Sequence, residues 1–80
     1  MTTFNAYYRI TARKDGNTAA EYNTADYVDA LSIFLDYAKG YGEHNTFLRS
    51  VGNKEKNYII TLDIVNVDTK ESVEIRKMEV

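Results

Sequence analysis

The residue types able to do chemistry in this 80-residue chain are one histidine, a run of carboxylates, and a strand of tyrosine and arginine. His44 lies in Gly42-Glu43-His44-Asn45. A catalytic imidazole needs a partner to orient it and a pocket facing a substrate. Its neighbour Glu43 is adjacent in sequence, and adjacent side chains diverge. With one histidine and no cysteine, a zinc site would rest almost wholly on carboxylates. Gly40-Tyr41-Gly42 follows a helical pattern, whereas phosphate-cradling glycines precede a helix and aim its free amides at the anion. Asp26, Asp29 and Asp36 fall at helical spacing and not around a tight calcium loop. No carboxylate pair stands out as a general acid and base. The reading is therefore no enzyme, no cofactor and no metal.

Two surfaces carry more information. The first is one face of the leading strand, Tyr7, Arg9, Thr11 and Arg13, with Lys14 at the turn. Rings on an open sheet stack bases and guanidinium groups meet phosphates, which is how single-stranded nucleic acid is held. The same residue types also pair across ordinary solvated sheets. The second surface is the far side of the helix, where Asp26, Asp29 and Asp36 surround Ile33 and Tyr37. Tyr41 and the Glu43-His44 segment extend it. Residues 21–43 carry five acidic side chains against Lys39 alone, residues 1–20 sum to +2, and residues 44–80 balance at six against six. The chain's net charge of −2 thus hides a basic first strand and an acidic helix. An acidic face with an apolar centre suits docking on a basic surface: the charge speeds encounter and the buried side chains hold the complex.

These surfaces need elements to position them. Thr3 to Lys14 alternates as a strand, with Phe4, Ala6, Tyr8, Ile10 and Ala12 on one face and Asn5, Tyr7, Arg9, Thr11 and Arg13 on the other. Asp15-Gly16-Asn17 predicts a hairpin into a second strand, Thr18 to Tyr22. A three-residue loop centred on Gly16 sets Ala12 against Ala20 and Ile10 against Tyr22, keeping one face apolar. Thr24 to Lys39 reads as a helix capped by Asn23 or Thr24 and ended by Gly40. Its expected buried stripe is Tyr27, Val28, Leu31, Phe34, Leu35 and Ala38. Tyr41 to Thr46 reads as a loop and Phe47 to Val51 as a short strand, closed by a turn over residues 52–57. Tyr58 to Val67 is the strongest strand. A turn at Asp68-Thr69-Lys70-Glu71 leads to a last strand, Ser72 to Glu79, with Ile64 facing Ile75. The expected fold is α+β in two layers, one α-helix packed on an antiparallel sheet in the order β-β-α-β-β-β, and residues 1–80 form one domain.

Composition bounds the rest. Ten aromatics and 44% hydrophobic residues exclude a disordered chain. The absence of cysteine excludes disulfides. No apolar run reaches the roughly 20 residues of a membrane span. With no signal peptide read at Met1-Thr-Thr-Phe4, the expectation is a small cytoplasmic domain. In its length, its helix bearing Asp26, Asp29 and Asp36, and its Tyr- and Asn-rich surface (Asp36-Tyr37, Lys56-Asn57-Tyr58), the chain resembles the small acidic accessory proteins of bacteriophages, anti-CRISPR proteins and other host-enzyme inhibitors among them. The resemblance implies a non-enzymatic protein-binding module that docks its acidic face on a larger protein or protein–nucleic acid complex with a basic surface. The partner-binding residues would be Asp26, Asp29, Ile33, Asp36, Tyr37, Tyr41 and Glu43. Two alternatives stand beside it. One is a single-stranded nucleic-acid-binding protein using Tyr7, Arg9, Arg13 and Lys14; the other is a homo-oligomer formed through the open sheet face or an edge strand.

Overall fold

The computed structural model describes residues 5–54 and 57–80. Four strands and one helix follow one another: β1 Ala6–Lys14, β2 Asn17–Thr24, α1 Tyr27–Ser50, β3 Ile59–Asn66 and β4 Ser72–Glu79. The fold is α+β, with the helix packed on a four-stranded antiparallel sheet of order β2-β1-β3-β4. The expected positions of Thr3 and Phe4 in the first strand lie outside the described residues, as do Glu55 and Lys56 of the turn.

The β1–β2 hairpin has the expected register by another route. Ile10 faces Tyr22 and Ala12 faces Ala20, yet Lys14 faces Asn17, so the loop is the two residues Asp15 and Gly16. Both have positive φ, 55° and 78°, as a two-residue hairpin turn of the I′ type requires. A bulge between Ala12 and Arg13 of the pairing absorbs one extra residue, Ala19, and restores the apolar face. The β3–β4 hairpin corrects a second expectation: Ile64 faces Val73, not Ile75, because a bulge leaves Ile75 without a partner between Glu74 and Arg76. Its loop is shaped by the Asn66 side chain, which accepts the amides of Asp68 and Thr69 at 2.9 and 3.1 Å.

The helix is longer than expected. It runs through Gly40 and Gly42 to Ser50, so the loop expected over 41–46 is helix, and so is the strand expected over 47–51 except Val51, which is the C-cap. Two mid-helix glycines cost about 1 kcal/mol each, and tertiary anchors offset them. The Tyr41 ring packs on Tyr58 at 4.4 Å. Asn45, 1% exposed, donates its amide to the Val80 carbonyl at 2.7 Å. The helix ends instead at Gly52, φ 86°, where Gly52 N–H donates to the Arg49 carbonyl and Asn53 N–H to that of Leu48, a Schellman closure. Its N-cap is Asp26, not Asn23 or Thr24; the Asp26 carboxylate accepts the Val28 amide at 3.0 Å.

The core lies between α1 and the sheet: Ile10, Ala12, Ile60 and Leu62 from the strands, and Ala30, Phe34 and Ala38 from the helix. Val28 and Leu35, expected inside, are 74% and 57% exposed. Ile33 and Tyr37, expected outside, pack against the core. The buried stripe is thus turned about 60° from the expected one. Volume explains the turn: Ala30 and Ala38 let the helix approach the sheet closely, while a pattern weighted by hydrophobicity favours the bulkier flank. The helix rests on β1, β2 and β3. Every residue of β4 is exposed.

Candidate functional site

The helix has two unlike flanks. Toward β4 it shows Leu31 and Leu35, which line a groove of about 320 Å³ with Arg76 and Met78. On its other side Asp36, Tyr37, Gly40, Tyr41 and His44 line a second groove of about 280 Å³. Their spacing of i, i+1, i+4, i+5 and i+8 puts them on one strip of an unbroken helix. They could not share a face if the helix stopped at Gly40.

The aromatic side of this groove is a chain of packed rings. Tyr37 and Tyr41 meet edge to face at 6.1 Å, Tyr41 leans on Tyr58, and the Lys14 ammonium lies 5.1 Å from the centre of the Tyr58 ring. Burial, then the neighbouring Tyr41, raises the Tyr37 pKa above the ordinary 10.0, so Tyr37 presents a neutral hydroxyl. Asp36 is exposed beside it. Between them Gly40 contributes no side chain, and a Cβ built there meets nothing within 4 Å. Gly42 is different, since its missing Cβ would meet Val80 at 3.4 Å. Gly42 thus allows close packing inside the molecule, whereas Gly40 leaves open space on the surface.

The residues expected to form one acidic patch are divided among several roles. Asp26 caps the helix. Asp29 accepts the Tyr22 hydroxyl at 2.8 Å, tying the helix to β2; this bond and the Asp29 charge raise the Tyr22 pKa above 10.0. Ile33 packs against the core. Glu43 lines a different groove with Lys39 and Phe47. Only Asp36, Tyr37 and Tyr41 come together, and Gly40 and His44 join them. Sequence reading missed Gly40 by taking it as a helix stop. The helical spacing of residues 36, 37, 40, 41 and 44 was the signal available.

The open face of the sheet is not a basic stripe. Arg9 faces Asp63 across the β1–β3 pair, with the guanidinium 3.6 Å from the carboxylate. By register the same face bears Arg9, Arg13 and Lys77 against Glu21, Asp63, Glu74 and Glu79, three basic residues to four acidic ones. Tyr7 is half-buried opposite Val65. Lys14 lies on the opposite face, over Tyr58, and so leaves the group of Tyr7, Arg9 and Arg13. Thr11 and Thr61 join their hydroxyls at 2.6 Å between β1 and β3.

Among the described residues no three His, Asp or Glu side chains gather where they could hold a metal ion. No helix among them is long and apolar enough to cross a membrane. Compared with protein-family models, curated proteins and solved structures, the chain matches none.

Proposed function

We propose that this chain is a non-enzymatic protein-binding module that receives a basic side chain of its partner in the groove of Asp36, Tyr37, Gly40, Tyr41 and His44. The observation that carries the reading is Gly40: a mid-helix glycine with no packing role, open between a carboxylate and two tyrosine rings. Asp36 supplies the counter-charge, and the rings offer faces to an arginine or lysine. Arginine and lysine are the residues that line nucleic-acid grooves. A phage-type inhibitor occupying such a groove in a host nucleic-acid-handling or defence complex fits this chemistry.

The test is a titration of the ¹⁵N-labelled protein with a short arginine- and lysine-bearing peptide. Chemical shifts should centre on Gly40, Tyr41 and His44, and Asp36→Asn should weaken binding about fivefold. Gly40→Ala should weaken it as well while leaving the fold intact. Shifts spread evenly over the surface, or unaltered affinity in both variants, would reject the groove. Shifts at Arg13 and Tyr7 with a single-stranded oligonucleotide, and none with the peptide, would move the function to the sheet.

A further inference from the structure

The β4 edge is complementary to itself. The Tyr58 and Val80 backbones exchange both N–H···O bonds at 2.9 Å, and Asn66 N–H donates to the Glu71 carbonyl at 2.8 Å. Antiparallel pairs alternate between bonded and non-bonded. Counting along the β3–β4 register from these two ends, the backbone groups of Ser72, Glu74, Lys77 and Glu79 point away from β3, toward the open edge. The bulge at Ile75 changes the side-chain parity midway. Ser72 and Glu74 therefore lie on the same face as Lys77 and Glu79, and Val73 lies with Arg76 and Met78 on the helix side.

We propose that two copies of the chain pair through β4 about a two-fold axis between Ile75 and Arg76, joining their sheets into one of eight strands. In this register Glu74 faces Lys77 of the second copy, Ser72 faces Glu79, and Val73 faces Met78. All four outward-pointing backbones of each strand then meet outward-pointing backbones. Ionic contacts lie on the open face; on the helix side the Val73–Met78 contacts flank the axis, where Arg76 of each copy lies opposite Ile75 of the other. The bulges stand opposite each other and span equal lengths, so neither strand loses step. Sliding the copies by two residues sets Glu74 against Glu79, a like-charge pair. Charges on an edge strand ordinarily discourage pairing with other chains, but here they alternate in sign so that a two-fold turns repulsion into attraction. The other edge, β2, carries Glu21 as its single charged residue and gains nothing by self-pairing. Val73 is 62% exposed and Met78 39%, and every residue of β4 is exposed; the helix meets this strand from its inner side, where Leu31 and Leu35 share a groove with Arg76 and Met78, and leaves the outer edge open to a second copy.

Sedimentation velocity over a concentration series tests the pairing. The parent protein should shift from monomer to dimer as concentration rises. Glu74→Lys and Lys77→Glu should each raise the dissociation constant about tenfold, and the two together should restore it. Circular dichroism checks that each variant folds. Should one reversal unfold the chain, amide exchange of the parent decides: Glu74 and Lys77 amides should slow as concentration rises. A monomer at every concentration, a dimer indifferent to the single reversals, a double reversal that fails to restore association, or exchange independent of concentration would overturn it.

Discussion

Glycine in mid-helix is unfavourable by about 1 kcal/mol relative to alanine, and the three glycines at positions 40, 42 and 52 separate by what surrounds them. At Gly40 a methyl group enters open space, so Gly40→Ala should raise stability by about 0.5–1 kcal/mol in thermal unfolding while narrowing the groove. At Gly52 the backbone has φ 86°, and Gly52→Ala should lower stability by about 1 kcal/mol. A stabilising alanine that weakens peptide binding is the signature of a glycine kept for a surface. Tyr22 offers a second residue-level test. Its bond to Asp29 raises its pKa above 10.0, and burial does the same to Tyr37. A group with a raised folded pKa contributes its stability fully below the unfolded value and loses it as pH rises through the folded one. Stability should therefore fall above about pH 10. Tyr22→Phe should flatten that fall, read as urea midpoints from about pH 9 to about pH 11.

At the scale of elements, the second half of α1 depends on contacts outside itself. Residues 40–50 have two glycines, Gly40 and Gly42, at their start and no strong apolar stripe; Asn45, Tyr41 and the Gly52 closure hold them in the helix. Asn45→Ala removes a buried bond to Val80 and should cost about 1–3 kcal/mol. Amide exchange should speed in residues 43–50 more than in residues 28–38. If both halves loosened equally, the helix would be a single cooperative unit and Asn45 no special anchor. The hairpins depend on bulges in a comparable way. One bulge at Ala19 keeps Ile10 against Tyr22, and another at Ile75 sets Val73 and Met78 on one side of β4.

At the scale of the molecule, one helix cannot cover four strands. It rests on β1, β2 and β3 and leaves β4 with every residue exposed. The helix therefore divides the surface into an acid-and-aromatic flank and an apolar flank beside β4. A β4 pair would carry the two Asp36 grooves on the outer sides of both helices, both on the same face of the joined sheet. The two properties are separable: Asp36→Asn should leave sedimentation unchanged, and Glu74→Lys should leave peptide affinity per chain unchanged.

Period-two alternation in residues 6–14 and 59–66 and the apolar spacing around Phe34 depend only on local geometry, so the strands, the helix and the α+β class were legible in the sequence by itself. Local signals misled where long-range contacts opposed them. Gly40 looked like a helix end, yet the packing of Tyr41 on Tyr58 and the Asn45 bond to Val80 carry the helix on to Ser50. Those contacts join residues 17 and 35 positions apart, beyond any pattern window. The helix rotation was likewise decided by the fit of Ala30 and Ala38 against the sheet, and the sheet order by where β3 settles beside β1. The groove at Gly40 exists only because the helix continues, so the tertiary structure decided the site while the sequence alone determined the layers that hold it.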